Sequence, residues 1–273
     1  MRASLFGTLA GGGTPVNPDA QAFITAAGIT DPTQQAAVNT LVNDLQTANL
    51  WTQLGACYPI VGGTASQHKY NLKDPRDLDA AFRLTFAGGW THSATGALPN
   101  GSTAYADTHY APSANFALGN AHWSYYSRTD ILSTTAAMGA RTAGSGPWVL
   151  LRNSVLGASN ILADYYAGIS DRLGGAEADS LGMHTFTATG GDGGAFKAFK
   201  EGVQLGVSAV ATGSLTGVTD TFYLGAINDS GSASFFTTRE CAGATLGSGL
   251  SDADATALNT CFQTFNTALS RQV

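Results

Sequence analysis

Charge is scarce in this chain. Of its 273 residues only 12% are charged, against roughly 25% in an average soluble domain. Lysine and arginine number 13 and aspartate and glutamate 19, a formal net charge of −6. The basic residues are scattered, so the sequence lacks the stripe that neutralises nucleic-acid phosphates. Long apolar runs are also missing, which excludes a membrane-spanning helix and predicts no membrane insertion. Residues 1–13 (MRASLFGTLAGGG) carry one arginine, are interrupted by Gly7 and end in no small-x-small site. Export through a cleaved signal peptide is therefore not expected.

Reactive groups are equally sparse. Cys57, Cys241 and Cys261 are odd in number and form no CxxC pair. They are expected to be small buried residues, with a bridge between two of them left open. Glu177, Glu201 and Glu240 are the only glutamates. No strand carries the paired carboxylates that glycoside hydrolysis needs on two sides of one bond. Glu201 follows Lys200 and Glu240 follows Arg239, which predicts solvated or ion-paired side chains. The histidines, His68, His92, His109, His122 and His184, form no HxH or HExxH, and no G-x-S-x-G elbow or phosphate loop occurs. Gly190, Gly191, Asp192, Gly193 and Gly194 read as a turn. Neither a catalytic residue nor a cofactor is expected.

Glycine, at 34 residues, is abundant, and 44% of the chain is hydrophobic. A chain of this length can bury about three quarters of its unfolded surface. Residues 1–16 read as an extended N-terminal arm. Residues 17–54 read as a helical segment. Asn17 and Asp31 precede Pro18 and Pro32 as N-caps, and Val38, Leu41, Val42 and Leu45 repeat at helical spacing. Residues 55–246 lose that period. Short aromatic and β-branched stretches alternate with glycine-rich turns: 81–86, 121–128, 148–152, 161–166, 183–189, 195–200 and 222–227. Without helices between them, these predict an all-β dominated fold, an antiparallel β-sandwich. Residues 247–273 revert to helix, with Ser251 as N-cap, an apolar stripe of Ala255, Leu258, Phe262, Phe265 and Leu269, and Arg271 suiting the negative end of the dipole.

Two kinds of binding site are compatible with these residues. Asp74, Asp77, Asp79, Asp107, Asn228 and Asp229 are loop oxygens from which a Ca²⁺ site could be drawn, although six to eight ligands are needed. Turns held by Asx hydrogen bonds are the expected outcome. His92 and His109 flank Asp107, which makes a polar or metal contact conceivable. Trp90, Tyr105, Tyr110 and Trp123 are the candidate glycan contacts, against the alternative of core packing.

The stretches DAQAFITAAGITDPTQQAAVNTLVNDLQTANLW (residues 19–51), YPIVGGTASQHKYNLKDPRDLDAAFRLTFAGGWTHSATGALPNGSTAYADT (58–108) and GSGLSDADATALNTCFQTFNTALSRQV (247–273) resemble a family of virion-associated proteins of tailed bacteriophages and prophages. HWSYYSRTD (122–130) and FKAFKEGV (196–203) look like strand and hairpin positions of that family. The resemblance implies a concanavalin A-like, laminin-G-like jelly roll located on the phage particle. It implies a non-enzymatic structural protein of tail, fibre or capsid, and no catalytic residues. Its partners would be other virion proteins and copies of itself, partly through the arm, which would order on binding. The alternative function is a carbohydrate-binding adhesion module; a glycanase is the weakest reading.

Overall fold

The computed structural model describes residues 16–153, 160–165, 172–209 and 217–273. The predicted arm, apart from Val16, lies outside them. Two capped helices open the described chain. In α1 (Pro18–Ala27) the Asn17 side chain accepts from the Asp19 N–H, and Gly28 ends the helix in the left-handed conformation. In α2 (Pro32–Thr47) the Asp31 side chain accepts from the Gln34 N–H. The side-chain amide of Asn17 also donates to Asn43 Oδ1 and Gln46 Oε1, tying the first helix to the second.

The chain then runs through β1 (Leu54–Tyr58), the short α3 (Ala65–His68), β2 (Thr85–Ala87), β3 (Trp90–Ser93), β4 (Gly96–Pro99), β5 (Tyr105–Asp107) and the short α4 (Pro112–Asn115). It continues as β6 (Ala121–Ser127), β7 (Met138–Arg141), β8 (Trp148–Asn153), β9 (Asn160–Asp164), β10 (Leu173–Ala176), β11 (Gly182–Thr189), β12 (Ala195–Lys200) and β13 (Val203–Ala209). It ends with β14 (Tyr223–Leu224), β15 (Ile227–Asp229), β16 (Ser232–Ser234), β17 (Cys241–Gly247) and α5 (Asp252–Ala268). The first sheet has eight strands in the order β13-β12-β11-β6-β17-β4-β3, with β1 also on β17. The second has nine, in the order β10-β9-β8-β7-β14-β5-β2, with β15 and β16 attached through β7. Pairing is antiparallel except between β15 and β7.

Three layers result. The main core lies between the sheets, with Trp123, Tyr125, Phe186 and Phe196 facing Met138, Val149, Ile161 and Leu224. A second core lies between the first sheet and the helices. It holds Val38, Leu41 and Leu45 of α2, Leu258, Phe262 and Phe265 of α5, and Tyr126, Met183 and Ala242 of the sheet. The centre of the first sheet is therefore buried on both faces, with every residue of β6 and β17 buried, whereas β13 at its edge is largely exposed. Gly243 permits the close approach of α5: a Cβ there would lie 2.6 Å from the Phe262 ring. The capping box of Ser251 and Asp254 starts that helix.

Several expectations change. The alternation at residues 81–86 predicts a strand, but only Thr85–Ala87 pairs. Phe82 is left-handed, at φ 59°, and the Leu84 N–H donates to Lys69 O, so a turn rather than a ladder places these side chains. Arg271 is not a surface partner of the helix dipole. It is 1% exposed and donates to Asn266 Oδ1 and to the carbonyls of Pro59, Ile60 and Ala242 at 2.7–3.1 Å. Glu240 pairs with Arg128 (2.8 Å) rather than with its neighbour Arg239. All three cysteines are free and buried, and burial pushes the Cys57 and Cys241 thiols up to about 12.

Two buried histidines are expected to make the fold acid-sensitive. His122 Nδ1 donates to Ser248 O, so its Nε2 accepts from Thr245. His68 Nε2 accepts from the Gly63 N–H and its Nδ1 faces His92 Nδ1 at 2.9 Å. Burial lowers His122 to about 4, and burial with the neighbouring His92 lowers His68 to about 3. Both values lie below the ordinary 6.5, so the stability they contribute is complete above that pH. It is lost progressively as the pH falls below 6.5, the loss ending at about 4 for His122 and about 3 for His68. Thermal melts at about pH 7 and about pH 4.5 are expected to show a lower midpoint in acid. His68→Gln with His122→Gln should reduce the drop; an unchanged drop would contradict the assignment.

Candidate functional site

The two sheets differ in what covers them. Helices close the outer face of the first, whereas no helix among the described residues packs on the outer face of the second. Strand alternation fixes what that second face presents. Ala106, Leu224, Met138, Val149 and Ala163 point into the main core. Their neighbours point outward and line up in register as Thr85, Asp107, Tyr223, Gly139, Trp148 and Asp164. Tyr105, two residues from Asp107, stacks on Tyr223 with ring centroids 4.4 Å apart and 18° between planes. A Cβ at Gly139 would lie 2.5 Å from Trp148 Cβ, so only glycine leaves room for the indole beside it. Trp148 is covered by Ala136, Leu162 and Ile227, with the Arg172 guanidinium 5.4 Å from its ring. Tyr223 is as closed as Trp148, at 8% and 9% exposure, so the open part of the row is the end bearing exposed Thr85, with Asp107 and Tyr105 half-buried beside it. Burial and the nearby Asp107 carboxylate push the Tyr223 phenol up to about 12, keeping it a neutral hydrogen-bonding group.

A polar network borders this end. Asp107 Oδ1 accepts from the His109 N–H, and His109 Nε2 lies 2.8 Å from Thr85 Oγ1. Beyond Thr85, Arg83 donates to Asp79 and Asp77 at 2.8 Å, and Lys69 pairs with Asp77 at 2.5 Å. Those hydrogen bonds hold the Asp77 carboxyl below its ordinary range. Between α3 and the free edge of β2 lies a cleft of about 290 Å³.

The structure separates the four aromatic candidates. Trp123 is 0% and Tyr110 2% exposed, which corrects both as glycan contacts. Trp123 is surrounded by Phe186, Phe196 and Tyr165, and Tyr110 packs on Phe82 and Phe116. Trp90 is half-buried; its Nε1–H donates to Ala87 O and Tyr105 O at 3.0 and 3.1 Å, stapling β2 to β5. Tyr105 alone stands on the open face. Tyr223, its partner, was not singled out by sequence. It falls in a predicted strand, but the register that sets it beside Tyr105 joins residues more than a hundred positions apart.

The loop oxygens considered for Ca²⁺ have other partners. Asp74 pairs with Arg76, Asp77 with Lys69 and Arg83, Asp79 with Arg83, and Asp229 with Arg141. Asn228 bonds Thr221 and Gly231. Among the described residues no group of three or more histidine, cysteine or acidic side chains converges on one point. His92 meets His68 rather than His109.

No protein-family model matches the chain, and no curated protein matches it. Solved structures resemble parts of it. The NanB sialidase from Streptococcus pneumoniae is 14% identical, with 58% of this chain and 26% of that chain covered and a TM-score of 0.43. The chain thus spans about a quarter of that enzyme's length. Domain 4 of AbnA, an extracellular arabinanase from Geobacillus stearothermophilus solved with arabinotriose, is 14% identical over 76% of this chain and 98% of that one, at a TM-score of 0.43. The CBM40 of the Ruminococcus gnavus IT-sialidase, solved with alpha-2,3-sialyllactose, is 13% identical over 52% and 83%, at a TM-score of 0.39.

Proposed function

We propose that this chain is a non-enzymatic binding module that contacts glycans through the open end of its second sheet. The observation that carries the reading is half-buried Tyr105, stacked on the buried ring of Tyr223 on a sheet face that no helix among the described residues covers. Aromatic rings offer a flat apolar surface and, in tyrosine, a polar tip. Thr85, Asp107 and the phenols supply donors and acceptors beside it, the combination of apolar surface and few polar groups that small-ligand sites use. A glycan array tests this. Wild-type protein is expected to give discrete binders, and Tyr105→Ala to weaken them at least tenfold without loss of folding. No binder on a broad array, or binders indifferent to Tyr105→Ala, would contradict it. Polysaccharide digestion is expected to release no reducing sugar.

A second reading, compatible with the first, is a structural component of a tailed-phage virion that assembles with other virion proteins and copies of itself. The stretches at residues 19–51, 58–108 and 247–273 favour it. Particles assembled with a chain lacking residues 1–15 are expected to omit it although the sandwich still folds. Normal incorporation would exclude assembly through the arm.

A further inference from the structure

The cleft beside β2 has a lining unlike the rest of this acidic chain. Its walls are Ser66, Lys69, Arg83, Leu84, Thr85 and Phe86, with no carboxylate among them. Both cations line the cleft and are held by ion pairs. Asp77 receives Lys69 Nζ and Arg83 Nη1, and Asp79 receives Arg83 Nε. This leaves Arg83 Nη2 and the remaining Lys69 N–H groups without a protein acceptor. The carboxylates thus fix the two cationic groups before any ligand arrives, lowering the ordering cost of binding. Planar guanidinium and ammonium donors side by side suit a carboxylate or sulfate. Leu84 and Phe86 also line the cleft while packing on the main core, and Ser66 and Thr85 add hydroxyls.

The cleft borders β2, the strand that pairs with β5 and so with Tyr105. Thr85 lines the cleft and is the register partner of Asp107, which is the register partner of Tyr223. Two strand spacings, about 10 Å, separate Thr85 from Tyr223. A short glycan lying on Tyr105 therefore reaches the cationic wall with its next unit.

We propose that this cleft is an anion subsite that selects acidic sugars, receiving a uronic-acid carboxylate or sugar sulfate on Lys69 and Arg83. The assignment rests on the glycan-binding reading and specifies its substrate class. It is tested by calorimetric titration with glucuronate-containing disaccharides, each beside its glucose counterpart, and with polyglutamate. Wild-type protein is expected to bind the acidic member at least tenfold more tightly, with the preference shrinking as salt rises. Arg83→Gln and Lys69→Gln should each remove the preference while leaving the neutral sugar's affinity unchanged, and Arg83→Lys should retain part of it. Equal binding of acidic and neutral members, or a preference that survives in the double variant, overturns the subsite and leaves the glycan reading standing. Polyglutamate binding without response to either sugar overturns the sugar assignment. Binding of no sugar by a protein with an unchanged melting curve overturns both.

Discussion

Arg271→Met is expected to destabilise the fold by about 4 kcal/mol or to prevent folding. The guanidinium is buried with no carboxylate against it, and the lowered value of about 10 caused by burial leaves it charged at neutral pH. Its counter-charges are the carbonyl dipoles of Pro59, Ile60 and Ala242, the Asn266 oxygen, and the Phe265 ring 5.1 Å away. Methionine fills similar space but donates nothing, so these acceptors lose their donors in a site closed to water. Each buried unsatisfied acceptor costs about 1–3 kcal/mol. The residue also joins the exit of β1, the strand β17 and the end of α5, so its loss loosens the helical layer from the sandwich. Urea denaturation measures the effect; a loss below about 1 kcal/mol would show that the latch is dispensable.

Trp123→Ala is expected to cost about 3–5 kcal/mol, the range for removing a buried large aromatic. Its ring is the hub of the main core, 5.4–6.4 Å from the rings of Phe116, Tyr165, Phe186, Phe196 and Phe222. Trp123→Phe should recover much of the stability and leave ligand affinity unchanged. A stable Trp123→Ala protein with weakened ligand binding would return this residue to the binding surface.

The residues that misled and those that informed differ for physical reasons. Helices α1, α2 and α5 were legible because Asn17, Asp31 and Ser251 mark their starts and each carries one apolar stripe. β11 and β12 were legible around the glycine turn at 190–194. By contrast, β17 is the strand on which β1, β4 and β6 meet, yet its sequence, CAGATLG, is small and apolar throughout. Burial on both faces erases the alternation that would reveal a strand. The same double burial explains Trp123: on β6 neither face is open, so an aromatic there is core whichever way it points. Trp90 and Tyr105 lie at the strand edges and reach the surface, but their separate tasks depend on which carbonyls and rings approach them. The stack with Tyr223 depends on β5 pairing with β14 across the second sheet, a non-local register that composition does not encode. The cleft is equally non-local, since Lys69 and Arg83 are brought together by Asp77 and by the Lys69–Leu84 backbone bond.

The account places ligand contact on the uncovered end of the second sheet. Backbone amide shifts followed by NMR during titration with a glycan selected from the array test that placement most directly. The predicted result is a contiguous set of shifts at residues 83–87, 105–109 and 223–224, with β6, β11 and the helices unmoved. Shifts centred on the first sheet or its helices, with the tyrosine pair silent, would contradict it.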